Sequence, residues 1–153
     1  MFQSKYFTNL KNKSLFQPYG LIDGEWLEAD DKDTFAISNP SDGSIIANMP
    51  EMKKIDTIKA INSAKKALIY WKKLTPKDRC VIIRKWHDLI LESIDDLALI
   101  MTLENGKPIA ESRAEIVYAS WFVDWFAEEG KRSYGKTIPS TQSDKRLLTI
   151  KQP

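Results

Sequence analysis

Few residues in this chain have the types and spacing that enzyme chemistry requires. Cys80 and His87 are the only cysteine and the only histidine among the 153 residues. A cysteine nucleophile needs a nearby base, and a zinc site needs several ligands of these types. Cys80 follows Arg79 in the first turns of an expected helix, and we expect it to have a structural role. We expect His87 to be a surface or hydrogen-bonded residue.

The glycines do not indicate a nucleotide site either. They are Gly20, Gly24, Gly43, Gly106, Gly130 and Gly135. No three of them have the spacing of a glycine-rich turn that binds phosphates. We therefore assign no catalytic and no cofactor-binding residue.

The composition is that of an ordinary soluble globular protein, with 42% hydrophobic and 29% charged residues. The 23 basic and 21 acidic residues are interspersed and give a net charge of +2, so no single-sign field would attract nucleic acid or an anionic membrane. No apolar run approaches the roughly 20 residues of a membrane span. Met1 to Tyr6 lack the apolar centre of a secretory signal. We expect a cytoplasmic protein without nucleic-acid or membrane partners.

Two β-hairpins are predicted in the first third of the chain. Leu21–Leu27 contains the dipeptide Asp23-Gly24, which suits a turn whose two central residues both have positive φ. A second strand pair, Thr34–Ser38 and Ser44–Met49, is joined by a turn in which Gly43 supplies the left-handed residue.

A layer of three helices is predicted from Lys53 to Arg132. Apolar residues at steps of three and four give the first helix, Lys54 to Lys72, one apolar stripe. Thr75 is the expected cap of the second helix, with a kink or restart at Ser93 and a left-handed end at Gly106. The apolar residues of this second helix are expected to point inward, namely Ile82, Ile83, Trp86, Leu89 and Ile90.

The third helix, from Pro108 to about Arg132, is apolar around nearly its whole circumference. Its large side chains include Tyr118, Trp121, Phe122, Trp125 and Phe126. Each such aromatic side chain can bury about 150–250 Å², and three left uncovered would form a patch on the order of 500 Å². The other helices and the hairpins can cover only part of this helix, so we expect an aromatic surface that other polypeptide must cover.

Both ends of the chain are expected to pack against other elements or other polypeptide. Up to about Tyr19 the chain is a lead-in in which Leu10, Leu15 and Phe16 could form one short helical turn. Near the other end, Arg146 to Lys151 is a predicted strand with no adjoining hairpin partner. Its backbone groups would have to pair with a distant strand or with another chain.

Several motifs occur in a fixed order along most of the chain. They are Ile22-Asp23-Gly24-Glu25-Trp26, Ser38-Asn39-Pro40 with Asp42-Gly43, Met101 to Pro108 (MTLENGKP), Trp125 to Arg132 (WFAEEGKR), Tyr134 to Pro139 (YGKTIP) and Leu147 to Pro153 (LLTIKQP). Their order and spacing resemble the amino-terminal portion of the NAD(P)-dependent aldehyde dehydrogenase superfamily. The block from Trp125 to Arg132 is most similar to the succinate-semialdehyde dehydrogenase branch.

This resemblance implies a mechanism. In the family, a cysteine thiolate attacks the aldehyde, hydride passes to the nicotinamide, and a glutamate activates the water that releases the acid. These groups and the pyrophosphate-binding turn follow the position that matches Pro153. We therefore expect an amino-terminal fragment, inactive alone, of an enzyme that oxidises succinate semialdehyde or a similar small aldehyde with NADP or NAD.

The resemblance also implies a mixed α/β fold, with antiparallel hairpins and helices, truncated before the Rossmann-like core. Residues 1–136 would be the first part of the cofactor-binding domain, and residues 137–153 the start of the oligomerisation arm. The implied partners are the remainder of the dehydrogenase and further copies of the enzyme. An alternative function is a non-catalytic assembly module that binds a separately encoded remainder. A stand-alone interaction domain is the least favoured hypothesis.

Two further site assignments follow only from the resemblance. Trp125 and Phe126 could line the aldehyde channel, although core packing is the commoner role of such a cluster. Glu104 and the backbone carbonyl near Ile37 could contact a monovalent cation. A hydrogen-bonding role at the helix end is the alternative for Glu104, because a hard-cation site needs more oxygens than this chain visibly supplies.

Overall fold

Three antiparallel strand pairs flank four α-helices in the computed structural model of the chain, which describes residues 5–152. The strands are β1 Gly20–Ile22, β2 Glu25–Leu27, β3 Thr34–Ser38, β4 Ile45–Pro50, β5 Lys136–Ile138 and β6 Leu147–Thr149. The helices are α1 Lys54–Trp71, α2 Pro76–Glu92, α3 Ile94–Asn105 and α4 Ile109–Glu129. Short 3-10 turns lie at Lys5–Phe7, Lys13–Leu15 and Gly130–Arg132. The predicted mixed α/β class is confirmed.

Both predicted hairpins are present, with the predicted turn chemistry. β1 pairs with β2, and the two turn residues Asp23 and Gly24 have φ values of 56° and 81°. β3 pairs with β4, with a bulge at Ile37/Ser38, and Gly43 in the connecting turn has a φ of 71°. Positive φ at both central residues of the first turn matches the twist of the flanking strands. Turn residues close together in the sequence therefore suffice to predict both hairpins.

The helical layer contains four helices where three were expected, because one non-helical residue, Ser93, separates α2 from α3. Thr75 caps α2, and its hydroxyl accepts the backbone N–H of Asp78 at 3.2 Å. α3 ends at Gly106, which has a φ of 81°. A Cβ at this position would lie 2.8 Å from Cγ of Pro40, so Gly106 both ends α3 and lets the β3–β4 turn approach it.

The prediction that the strand near the carboxyl end has no hairpin partner is wrong. β6 pairs with β5 in antiparallel register, with Lys136 opposite Thr149 and Ile138 opposite Leu147. The loop between them reverses the chain, and residues 136–138 lack an alternating apolar pattern that would have revealed a strand. The two strands still carry exposed apolar side chains, including Leu147 and Leu148.

The lead-in segment docks on the chain itself. Phe7 and Leu10 are buried together with Ile46 of β4. Phe7 also stacks on Phe16, with the ring centroids 3.8 Å apart. Side chains of α3 pack against this cluster, among them Leu99. The small core therefore joins the lead-in, the second hairpin and α3. The prediction that Met1 to Tyr6 lack the apolar centre of a secretory signal falls mainly on residues 1–4. These four residues lie outside the described residues.

Asp96, in the first turn of α3, holds the lead-in by hydrogen bonds. Its side chain is buried, at 6% exposure. The two carboxylate oxygens accept the backbone N–H groups of Lys11 at 2.9 Å and of Asn12 at 2.8 Å. Neighbouring Asp95 is exposed and forms ion pairs with Lys11 and Arg113. A hydrogen bond to Asp95 from Lys11 is the main reason that the pKa of the Asp95 carboxyl is lowered.

Asp96→Ala is expected to lower the free energy of unfolding by about 2–3 kcal/mol, because two part-buried hydrogen bonds lose their charged acceptor. Asp96→Asn should have a smaller effect, since one amide oxygen remains. Urea denaturation followed by circular dichroism measures the change, and amide hydrogen exchange at Lys11 and Asn12 locates it. Asp95→Ala is the matched control and should affect stability less. An equal loss of stability in both alanine variants would contradict the role of Asp96.

The apolar stripes of α1 and α2 lie at the surface. In α1, Ile58 and Ile61 are exposed, whereas Asp56 is buried and Ser63 donates a hydrogen bond to Asp23 of the first hairpin at 3.0 Å. The helix thus covers the hairpin with its polar side. No helix among residues 5–152 is both long and apolar enough to cross a membrane.

The prediction that the apolar residues of α2 point inward is wrong for three of them. Ile82, Trp86 and Leu89 are exposed, Trp86 at 59%. Only Ile83 and Ile90 are partly buried. The physical reason is that α2 packs on α4 through a different side, and no other described element covers the apolar stripe. A periodic pattern identifies the apolar side of a helix but not the element that covers it.

Candidate functional site

Helix α4 packs on α2 and α3 through small side chains. Ser112, Ser120 and Ala127 are its buried residues, and both serines have 0% exposure. They are spaced about two turns apart, so they lie on one side of the helix. The Ser112 hydroxyl lies 2.8 Å from that of Thr102 in α3, and the Ser120 hydroxyl donates to the carbonyl of Val117 at 2.7 Å. Small residues let the helices approach closely and leave the large side chains for the opposite face.

The opposite side of α4 is an exposed aromatic face, which we define as Tyr118, Trp121, Phe122, Trp125 and Phe126. These five residues surround an open hollow of about 280 Å³. The Tyr118 and Phe122 rings meet edge to face, with centroids 4.9 Å apart. Trp125 and Phe126 are the most exposed, at 66% and 63%. The expectation that the described chain leaves part of α4 uncovered is confirmed, and Trp125 and Phe126 lie together on this face.

The aromatic face can bind apolar groups, and the Tyr118 hydroxyl is the single acid–base group among its five side chains. No titratable carboxylate, amine, thiol or imidazole belongs to the five side chains that surround the hollow. Aromatic surfaces of this kind bury apolar parts of a ligand or of neighbouring polypeptide. The geometry therefore supports a lining or packing role.

A charged cluster joins α2 to the end of α4. Arg84 of α2 donates to Oδ1 of Asp124 at 2.6 Å and to Oε1 of Glu128 at 3.5 Å. Lys131 lies 2.6 Å from the other carboxylate oxygen of Glu128. The hydrogen bond from Lys131 is the main cause of the lowered pKa of Glu128, and Glu128 in turn raises the pKa of Lys131. Glu128 is therefore held as a carboxylate between two cations.

Cys80 and His87 do not form a nucleophile–base pair. Cys80 is buried, at 5% exposure, and its Sγ lies 3.6 Å from Oε1 of Glu128. His87 lies two turns further along α2, about 10 Å along the helix axis, and its Nδ1 lies 3.0 Å from Oδ1 of Asp88. The expected hydrogen-bonded role of His87 agrees with this contact, and the position of Cys80 agrees with a structural role.

Glu104 lies in a groove between α3 and α4 of about 560 Å³. Partial burial in this groove raises the pKa of its carboxyl. The other carboxylate of the groove, Glu115, forms an ion pair with Lys107. Ile37 packs on the same small core as Leu103, the residue before Glu104. Within residues 5–152, no three His, Cys, Asp or Glu side chains come together as metal ligands.

Sequence reasoning missed the charged residues that join α2 to α4. Arg84 and Asp124 are 40 residues apart, and their pairing depends on how α2 and α4 are arranged in space. One signal was available, since Asp124 and Glu128 are acidic residues one turn apart within an otherwise aromatic segment. Acidic residues in such a segment indicate a side of the helix that meets a polar partner.

Comparison with known families identifies the class of protein. The chain belongs to the aldehyde dehydrogenase family, whose sequence model matches residues 26–153. The resemblance drawn from the motifs is thereby confirmed.

Individual relatives are semialdehyde dehydrogenases. The chain is 50% identical over 144 residues to a glutarate-semialdehyde dehydrogenase of Pseudomonas putida, and the match covers 94% of this chain and 30% of that protein. It is 49% identical over 144 residues to the NADP-dependent succinate-semialdehyde dehydrogenase of Escherichia coli, with the same coverage. The chain thus spans about 30% of the length of these curated relatives and corresponds to their amino-terminal portion.

Solved structures agree with this relationship. A crystal structure described as an E. coli NADP-dependent enzyme superposes with a TM-score of 0.93 at 49% identity, covering 95% of this chain and 30% of that one. The succinate-semialdehyde dehydrogenase from Burkholderia pseudomallei superposes with a TM-score of 0.89 at 43% identity, covering 92% of this chain and 29% of that one.

Proposed function

We propose that this chain is the amino-terminal portion of a dehydrogenase that oxidises succinate semialdehyde, or a similar small carboxylate-bearing aldehyde, to the acid with NADP or NAD. The observation that carries this proposal is the 49–50% identity over 144 residues to enzymes named for such substrates. In this proposal the complete enzyme acts in the cytoplasm. It is an oligomer whose other subunits are further copies of the same enzyme. The single cysteine is compatible with that compartment.

The chain by itself is proposed to be inactive. Support comes from the exposed apolar sides of α1, α2 and α4, which in the whole enzyme pack against the remainder of the polypeptide. Residues 1–136 then begin the cofactor-binding domain, and residues 137–153, with β5 and β6, begin the oligomerisation arm. Trp125 and Phe126 line part of the aldehyde channel in this proposal.

The described residues do not themselves fit a nicotinamide dinucleotide. The three glycines with positive φ are Gly24, Gly43 and Gly106. The first two lie in hairpin turns and the third ends α3, so none begins a helix as a pyrophosphate-binding turn does. Cofactor binding is therefore assigned to the remainder of the enzyme.

Glu104 is proposed to contact a monovalent cation together with the backbone carbonyl near Ile37. The partly buried carboxyl, and the small core on which both Ile37 and Leu103 pack, support this assignment. A cation there would also need oxygen ligands from the remainder of the enzyme or from water.

The test joins residues 1–153 to the remainder of the E. coli succinate-semialdehyde dehydrogenase. This chimera should reduce NADP when succinate semialdehyde is added, as measured by absorbance at the NADPH band, and the 153-residue chain alone should not. A folded chimera that oxidises no semialdehyde would contradict the proposal. Turnover by the chain alone that Cys80→Ser abolishes would contradict the structural role of Cys80.

A second candidate is an assembly module that binds a separately encoded remainder. The exposed apolar side chains of α4 and of the β5–β6 pair favour it. Mixing the purified chain with a separately purified remainder tests this candidate. Activity restored by mixing supports the assembly module, whereas activity only in the covalently joined chimera supports a single polypeptide.

A further inference from the structure

The side of α4 that faces α2 combines small and acidic residues. Ser120, Asp124, Ala127 and Glu128 lie within a sector of about 100° of the helix, at 3.6 residues per turn. The centre of this sector is roughly 140° around the helix from the centre of the aromatic face. Any rotation of α4 about its axis therefore changes the direction of the aromatic side chains by the same angle.

The small residues already restrict such a rotation. Ser120 and Ala127 are buried against neighbouring elements, and a rotation would bring larger side chains of α4 into the same close contact. A further contact that holds one rotational position would add to this steric restraint.

Arg84 supplies that contact. Its Nη1 lies 2.6 Å from Asp124 and 3.5 Å from Glu128, and these two carboxylates are one helical turn apart. A rotation by one residue position would replace Asp124 with Trp125 beside the guanidinium. Glu128 is itself restrained by Lys131 at 2.6 Å and by the Cys80 thiol at 3.6 Å. The Arg84 guanidinium contacts both carboxylates at once only when they lie on the side of α4 that faces α2. A rotated helix would move them away from the guanidinium.

We propose that Arg84 is a positioning residue for aldehyde binding, because together with the small buried residues it holds the rotational position of α4 and thereby the direction of Trp121 and Trp125. This inference rests on the proposed function, in which the aromatic face lines the aldehyde channel. Arg84 does not touch the aldehyde and acts only through α4.

The first test observes the tryptophans directly in the 153-residue chain. The protein is labelled with 5-fluorotryptophan, and each fluorine resonance is assigned by a single Trp→Phe substitution. Arg84→Ala should shift or broaden the resonances of Trp121 and Trp125 and leave those of Trp26 and Trp71 in place. Arg84→Lys should return them part of the way, because an amine can keep one of the two ion pairs.

Arg113→Ala is the matched control. It removes an arginine from the other end of α4, where the partner is Asp95 of α3. If Trp121 and Trp125 keep their resonances in Arg84→Ala, or move equally in Arg113→Ala, the positioning role is wrong.

The second test measures steady-state kinetics in the active chimera. Arg84→Ala should raise KM for succinate semialdehyde about fivefold, the effect of a modest loss of binding energy, with KM for NADP unchanged and kcat little affected. Arg84→Lys should recover part of the loss. Equal changes in both KM values would indicate a general structural defect and overturn the inference. An inactive unsubstituted chimera would instead overturn the proposed function, while the fluorine spectra still decide whether Arg84 orients α4.

Discussion

Replacing Trp125 and Phe126 together by serine is expected to affect the isolated chain and the complete enzyme very differently. In the chain alone, the two side chains are 66% and 63% exposed. Surface substitutions of this kind change the free energy of unfolding by about 0.5 kcal/mol or less. In the complete enzyme, we propose that the apolar side of α4 packs against the remainder of the polypeptide. The two truncations together should therefore cost about 3–5 kcal/mol there, since side chains that also line a channel are only partly enclosed.

The comparison requires thermal or urea unfolding of both proteins, with and without the double substitution. Phe7→Ala is the control, because Phe7 is buried in the chain itself and its loss should destabilise both proteins by about 3–5 kcal/mol. If the double substitution destabilises the isolated chain as strongly as Phe7→Ala does, the aromatic face is covered within the chain. That outcome would remove the main physical support for the proposal that the chain is incomplete alone.

Ser120→Leu is the second substitution with a large expected effect. Ser120 has 0% exposure and lies on the packed side of α4, so a leucine would have to push neighbouring elements away from this helix. Overpacking of this kind costs about 1–3 kcal/mol and sometimes more. The expected result is a loss near the upper end of that range, measured by urea denaturation.

Ser120→Ala separates volume from hydrogen bonding. The Ser120 hydroxyl donates a local hydrogen bond to the carbonyl of Val117 at 2.7 Å, and losing such a bond costs about 1 kcal/mol. Alanine should therefore be tolerated much better than leucine. Equal losses for the two variants would show that the hydroxyl, and not the close approach of the helices, determines stability at this position.

The elements that the sequence predicted correctly are those determined by neighbouring residues. Asp23-Gly24 determines one turn, Thr75 with Asp78 caps α2, and Gly106 ends α3 through a backbone conformation that other residues adopt at a cost. Each of these signals acts within a few residues and does not depend on which other elements pack against the turn or helix end. The same locality explains why the break at Ser93 was anticipated.

The packing could not be predicted in the same way. An apolar stripe such as that of Ile58 and Ile61 is ordinarily a buried stripe, but here it is exposed, and buried Asp56 faces the other way. The pairing of β5 with β6 and the contact of Asp96 with the lead-in join residues far apart in sequence, about which local patterns carry no information. The side of each helix that is covered depends on the whole set of elements present.

The candidate site was predicted in composition but not in arrangement. The aromatic residues of α4 were identified, and their exposure followed from counting the elements available to cover them. Arg84 was missed because its partner Asp124 belongs to another helix. The assignments of Trp125 and Phe126 to a substrate channel, and of Glu104 and Ile37 to a cation, stay predictions.

The uncovered helix sides and the β5–β6 pair have a consequence for biosynthesis. In relatives about three times as long as this chain, ribosomes complete the corresponding segment first and, at about 5–20 residues per second, need tens of seconds more for the rest. During that interval the nascent segment would present apolar helices and unpaired strand edges to its surroundings. Production of such an enzyme should therefore depend on molecular chaperones that shield these surfaces until synthesis ends.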